Sequence, residues 1–439
     1  MAAGMNHATG AGDAPALLAR DAGRPAARRG ETVLAIVAGG ALQAVVWVVL
    51  IQLFWIQRLG YAFHQLSDTL LYVGYASRWT VLHRLPYVDF RLEYPPLALP
   101  LFLLPPSTGS VAAYERWFSV EMIVLCVITA LATAALAASY WRLPARTLAA
   151  GLAFAACTLA AGAIVANRYD IAVGLAIAVA LLLLAGGRWT AAGAVLGLGF
   201  ALKLTPLVLL PLVLVVAGRK AAPRVAIAFA AAAALPFVPF LFSGLDGLAY
   251  VFAYHAQRPL QIESLLATPY LLGHLVGREV PLVASFGSTN IGGGGAAAMA
   301  ALSPWLALLG MTAVYCCLWR LRTRLRERPA EVAFAALTVV LVGVSLGKVL
   351  SPQFLVWVLP LVALVLVSEE RGQRLVGVLC LAAVVLTQIE FPRYYLALVD
   401  LQPGAIVLVA ARNALLASAT LVGVIVVLKE YARERARGG

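Results

Sequence analysis

The sequence predicts an all-α protein that crosses a membrane many times, and three observations carry that expectation. Of its 439 residues, 62% are apolar and only 12% charged, against about 45–50% and 25% in soluble domains. A soluble core stops growing near about 250–300 residues and has nowhere to put such a surplus. Second, Ala/Leu/Val blocks recur from Val33 to the C-terminal region, many near the roughly 20 residues that a helix needs to cross a bilayer core. Third, the blocks show no period-two alternation and are too long for barrel strands. Backbone in lipid must satisfy its own hydrogen bonds, so helices remain.

Taken in order, residues 33–55, 114–138, 147–166, 171–186, 224–241, 301–319, 331–347, 353–367, 375–390 and 404–427 read as about ten spanning helices. Between Arg188 and Arg219 lie two shorter stretches, 190–203 and 205–217. At about 1.5 Å per residue each reaches only about 20 Å, so they read as paired half-length helices hinged at Lys203-Leu204-Thr205-Pro206. Residues 1–30 are polar, small and Arg-containing, a disordered cytoplasmic tail without a cleavable signal. Residues 31–428 form one transmembrane domain, and 429–439 a basic cytoplasmic tail. All five cysteines fall inside apolar segments, which predicts no structural disulfide.

Charge sets the direction. In a soluble protein the net charge of +13 would suggest nucleic acid; here its position matters more, and no nucleic-acid partner is expected. With the N-terminus in the cytoplasm, 21 of the 33 Lys and Arg lie on that side, among them the run from Arg320 to Arg328, and ten on the other. That is the positive-inside bias. It places a multi-pass protein in the cell membrane with loops 56–113 and 242–300 outside, where most remaining ionisable residues gather: Asp68, Asp89, Glu93, Glu115, Asp246, Glu263 and Glu279. Gly287 to Gly295 (GSTNIGGGG) reads as a flexible tether.

Soluble-enzyme signatures are missing. Gly343 to Lys348 lacks the spacing of a phosphate loop, no Asp-x-Asp marks a metal-bound nucleotide sugar, and no Cys/His cluster suggests zinc. His64 and Asp68 share a helix face, but two ligands make no metal site; no metal or cofactor is expected. In the first outer loop, Leu70, Leu71, Val73 and Trp79 recur at a helical period that suits a surface helix. Tyr94-Pro95-Pro96-Leu97 then forces an extended turn. The plain reading makes Asp68 a helix-start residue and Asp89 a turn residue. Lys203 is a functional candidate because an ionisable group within a membrane segment is costly; the competing reading is a structural ion pair with Asp170 or a capped carbonyl.

Several motifs follow one another in a recognisable order. Asp68 is followed by Tyr72, then by Pro86-Tyr87-Val88-Asp89 and Glu93-Tyr94-Pro95-Pro96-Leu97. Asn167-Arg168-Tyr169-Asp170 opens a helix, and Lys203-Leu204-Thr205-Pro206 closes another. His255 to Ser264 (HAQRPLQIES) and Lys348 to Phe354 (KVLSPQF) complete the series. This order resembles the GT-C membrane glycosyltransferases, and among them glycosyltransferase family 87, the actinobacterial polyprenyl-phosphate-mannose-dependent mannosyltransferases. The resemblance implies a GT-C helical bundle and an inverting transfer of a sugar, mannose first, from a polyprenyl-phosphate donor to a lipid or glycan acceptor. It implies Asp68 as the general base, with Asp89 in reserve. For the donor phosphate it points to Arg258 and Lys348, then Arg168 and Lys203. His255 is a proton carrier, a sugar contact or an ordinary loop histidine; Glu263, Tyr72 and Tyr94 are matched substrate-side positions. A transporter of a lipid-linked saccharide is the alternative: it would use the same cations without a base.

Overall fold

The structure is a computed structural model and describes residues 26–56, 67–242 and 244–437. Its helices are α1 (Ala26–Leu50), α2 (Thr69–Thr80), α3 (Leu99–Leu103), α4 (Val111–Trp141), α5 (Pro144–Ala161), α6 (Ile164–Asn167), α7 (Asp170–Ala185), α8 (Trp189–Leu202), α9 (Leu210–Ala217) and α10 (Ala222–Ala234). After α11 (Leu245–Gln257) and α12 (Thr268–Leu275) come α13 (Gly294–Arg320), α14 (Arg322–Glu327), α15 (Ala330–Ser345), α16 (Leu359–Leu366), α17 (Arg371–Glu390), α18 (Tyr395–Val399) and α19 (Pro403–Arg437).

Among the described residues, seven helices are long and apolar enough to cross a membrane: α1, α4, α5, α10 with its 3-10 extension to Phe240, α13, α17 and α19. The sequence reading expected about ten spans. The three that fall short are α7, α15 and the stretch Pro352–Leu366. These are innermost: α15 is buried almost all round from Val332 to Ser345, and α16 from Leu359 to Val365, as expected of helices apolar on every face. α7 and the Pro352–Leu366 stretch start at a polar cavity inside the bundle. Irregular backbone at membrane depth is tolerated where protein or a water-filled cavity surrounds it. Composition reports the apolar run but not the cavity that ends it.

The half-helix pair is present. α8 ends at Leu202, Lys203 is extended, and a 3-10 turn from Thr205 to Leu209 leads into α9. α8 packs against α10 through Gly193 and Gly197, the small-xxx-small spacing that lets helix backbones approach closely. A Cβ on Gly197 would lie 2.3 Å from the Phe229 carbonyl oxygen, and one on Gly193 2.7 Å from that of Val225.

Between α11 and α13 the chain makes a small antiparallel sheet, ordered β1 (Leu260–Gln261), β3 (Ser288–Ile291), β2 (Leu282–Ser285). This corrects the expected tether. Ser288 to Ile291 is the central strand, Gly287 (φ 64°) supplies the tight turn, and Gly294 already starts α13. The polar, Gly-rich composition marked a turn rather than a linker. The C-terminal basic segment is not a separate tail through Arg437: α19 runs on, and Glu430 pairs with Arg324 and Arg433. Residues 1–25, most of the expected N-terminal tail, and His64 lie outside the described residues.

Candidate active site

Both long loops and the ends of the inner helices enclose one polar cavity of about 280 Å³. Asp68, Tyr72, Tyr94, Arg168, Lys203, His255, Arg258 and Glu263 all line it. These eight positions span nearly 200 residues of sequence, and the fold brings them to one place.

Asp68 stands at the start of α2 yet makes no capping hydrogen bond with its side chain. Its Oδ2 lies 2.8 Å from Nε of Arg168, which is 5% exposed. The Tyr72 hydroxyl reaches the same oxygen at 3.5 Å. Tyr72 is itself locked, stacked on Phe102 with centroids 4.3 Å apart and edge-on to Tyr94 and Tyr169. α2 buries Tyr72, Val73, Tyr75 and Ala76 against this aromatic cluster and leaves Leu70 and Leu71 exposed. The anticipated extended turn is also present: Pro95 is extended, and the chain re-enters a 3-10 turn at Pro96.

Two cations reach the cavity from the bundle. Arg168 follows α6 and pairs with Asp68; its guanidinium also lies 5.8 Å from the Phe391 ring centroid. Lys203 pairs with Asp170 at 2.5 Å, so the structural ion pair weighed for it exists. The same ammonium sits among the rings of Tyr169, Trp357 and Phe354 at 4.9, 5.1 and 5.6 Å, and the Trp357 indole donates to Asp170.

The second loop adds Arg258, which donates to Ser288 at 3.1 Å and pairs with no carboxylate among the described residues. Burial lowers its pKa from the ordinary guanidinium value. His255 hydrogen-bonds the Glu93 carbonyl at 3.2 Å, which requires the proton on Nε2 because a carbonyl only accepts. Burial and the neighbouring cations, Arg258 first, pull its imidazole down to about 4. His255 is therefore neutral at pH 7 and ties the two loops together.

Glu263, 1% exposed, accepts from the Gln261 amide at 2.9 Å. Burial, and the Glu390 carboxyl beside it, push its carboxyl well up. Arg412 donates to the Glu263 backbone carbonyl at 2.8 Å.

Two expected positions lie elsewhere. Asp89 is exposed and accepts from the Leu85 amide at 2.6 Å; it closes a turn and does not line the cavity, as its plain reading held. Lys348 also lies outside the lining, and its Nζ donates to the Ala256 carbonyl at 2.6 Å. Ala256 stands two residues before Arg258 in the chain. A short Pro-flanked loop does not reveal which of its faces turns inward.

A family model decides what kind of protein this is: that of glycosyltransferase family 87 matches residues 92–352, more than half of the chain. The chain belongs to glycosyltransferase family 87. The matched stretch contains Arg168, Lys203, His255, Arg258 and Glu263, while Asp68 and Tyr72 precede it. Among solved structures, the crystal structure of ArnT from Cupriavidus metallidurans bound to undecaprenyl phosphate is similar at a TM-score of 0.47 and 15% identity. That match covers 91% of this chain and 78% of that one. Among curated proteins none matches.

The glycosyltransferase also places in its cavity residues that the sequence reading quoted without a role. Glu93 accepts from the Tyr75 hydroxyl at 2.5 Å, and burial raises its carboxyl above the usual range. Gln261 holds the 348–351 loop, its Oε1 accepting from the Leu350 amide at 2.9 Å. Both stand inside motifs already noted. Glu390 and Arg412, fully buried in late helices, had only the cost of an intramembrane charge to single them out.

Proposed function

We propose that the protein transfers a sugar, mannose by the resemblance of its motifs, from a polyprenyl-phosphate donor to a hydroxyl of a lipid or glycan acceptor, with inversion, at the outer face of the cell membrane. The observation that carries this reading is the meeting of the Asp68 carboxylate, at the cavity's junction with the outer loop, with buried cations from separate parts of the chain in one cavity.

The chemistry follows from those groups. Arg258, with no carboxylate partner among the described residues, takes the donor phosphate. Arg168 holds the Asp68 carboxylate in place, and Lys203 adds positive potential near the departing phosphate. The acceptor oxygen attacks C1 of the sugar from the side opposite the phosphate. As the new C1–O bond forms, the C1–O bond to phosphate breaks and its electron pair leaves with the phosphate. The acceptor's proton goes to Asp68. Fixed cations aimed at charge that grows during the reaction stabilise the transition state more than the ground state.

Orientation supports the outer face. The helix ends opposite the cavity carry Arg142, Arg146, Arg188, Arg219, Lys220 and the Arg320–Arg328 run, the side that the positive-inside rule assigns to the cytoplasm.

Membranes containing the protein and a labelled polyprenyl-phosphate-mannose test the proposal. Labelled product whose anomeric configuration is opposite to the donor's is expected. Product retaining the donor's configuration refutes a single displacement, and transfer from an arabinose donor alone refutes mannose.

A further inference from the structure

A second recess adjoins the cavity on the outer face of α2, with a volume of about 420 Å³. It is lined by residues of α2 and its start, among them Asp68, Leu70, Gly74 and Arg78, and it shares Ser67, Asp68 and Leu71 with the inner cavity. Asp68 thus stands at the junction of two spaces of different character. The inner one holds Arg168, Lys203 and Arg258. The outer one has a single cation, Arg78, at its far end, its guanidinium 5.5 Å from the Phe90 ring centroid.

Gly74 is the second observation. It lies in mid-helix, where glycine costs about 1 kcal/mol relative to alanine. Among the described residues nothing requires it: its φ is not positive, and an added Cβ would meet no described atom within 4 Å. Gly193 and Gly197 each have a neighbouring backbone to explain them. A helical glycine that opens onto a recess beside a carboxylate leaves room for something to lie close against the helix.

We propose that this recess holds the acceptor: the saccharide head of a lipid-anchored glycan lies across the turn at Gly74, with its reacting hydroxyl at Asp68. This rests on the displacement described above. If the cations of the inner cavity hold the donor phosphate, the attacking oxygen must arrive from the opposite side of C1, and Asp68 is the wall between the two spaces. Leu70 and Leu71, 64% and 40% exposed, offer an apolar flank to the lipid chain. Arg78 offers donors to hydroxyl oxygens at the far end. The recess falls in the size range of small-molecule sites, about 300–1,000 Å³.

The test uses the full chain in proteoliposomes with polyprenyl-phosphate-mannose as donor and octyl α-mannoside or methyl α-mannoside as acceptor. Wild type is expected to favour the octyl glycoside. Gly74→Phe fills the recess and should raise the KM for octyl mannoside at least tenfold while the donor KM stays within twofold. Leu82→Phe adds the same ring on the exposed chain just past α2, outside the recess, and should change neither. Gly74→Cys gives a readout independent of turnover, since octyl mannoside should slow its labelling by a maleimide. An unchanged acceptor KM in Gly74→Phe, or labelling of Gly74→Cys indifferent to saturating octyl mannoside, overturns the assignment. Donor cleavage by wild type without transfer to either glycoside also overturns it. A protein that neither transfers nor cleaves the donor refutes the glycosyltransferase mechanism itself.

Discussion

Removing both partners of the Lys203–Asp170 pair should destabilise the protein by less than the sum of removing each alone. Asp170 is 1% exposed, and Lys203 has 13% of its side chain exposed. Asp170→Asn leaves the ammonium without its counter-ion, a change that typically costs about 3–5 kcal/mol at buried sites. The Tyr169, Trp357 and Phe354 rings, 4.9 to 5.6 Å from the ammonium, offset part of that, since a cation over an aromatic face gains about 0.5–2 kcal/mol. Lys203→Met strands the carboxylate, which among the described residues keeps the Trp357 indole as its side-chain donor. In the double variant neither charge is stranded, so it should recover about 1–3 kcal/mol relative to the sum of the singles, the range of direct coupling. Thermal unfolding of detergent-solubilised protein reads this directly: two singles with lowered midpoints and a double above the additive expectation. Singles at the wild-type midpoint, or strict additivity, would refute the reasoning.

Other perturbations separate the remaining roles. Arg258→Gln removes a charge-assisted contact to the donor phosphate worth about 1.5–3 kcal/mol; donor KM should rise about 10- to 100-fold, as steady-state kinetics with labelled donor would report. His255, held near 4 against an ordinary 6.5, binds its proton less readily folded than unfolded. Its contribution to stability is therefore present above about pH 6.5 and lost as pH falls towards 4; His255→Gln should flatten that window in a series of thermal midpoints. Gly197→Leu drives a side chain into the Phe229 carbonyl, 2.3 Å from its Cβ, and should cost at least the 1–3 kcal/mol or so of overpacking, seen as a lowered midpoint.

Much of this architecture was legible in the sequence because bilayers impose simple rules. Apolar length marked the outer helices, and the Pro206 hinge, set against two short runs, marked the half-helix pair. Lys203 was found because charge at membrane depth is costly enough to demand a reason, and Arg168 and Glu263 through the motifs that resemble the family's. What stayed hidden depends on long-range geometry. The shortness of α7 and of the Pro352–Leu366 stretch was not legible, because a hydrophobic run carries no record of the cavity at its end. Asp68 and Asp89 look alike as loop carboxylates; only the fold turns one towards Arg168 and the other back onto its own turn. Lys348 sits in a motif as well formed as that of Arg258, yet its ammonium meets a backbone carbonyl. The recess at Gly74 appears only once α2 is seen packed on one face and bare on the other.

The central claim is that Asp68 takes the acceptor's proton. A general base contributes about 10²–10⁴-fold to rate. Asp68→Asn keeps the size of the side chain and an oxygen for Arg168 to donate to, so it removes basicity with little change of shape. The decisive measurement is kcat for sugar transfer in this variant alongside its donor affinity. The account predicts kcat reduced at least about 100-fold with donor affinity within a few fold of wild type; turnover close to wild type at intact donor binding would contradict it.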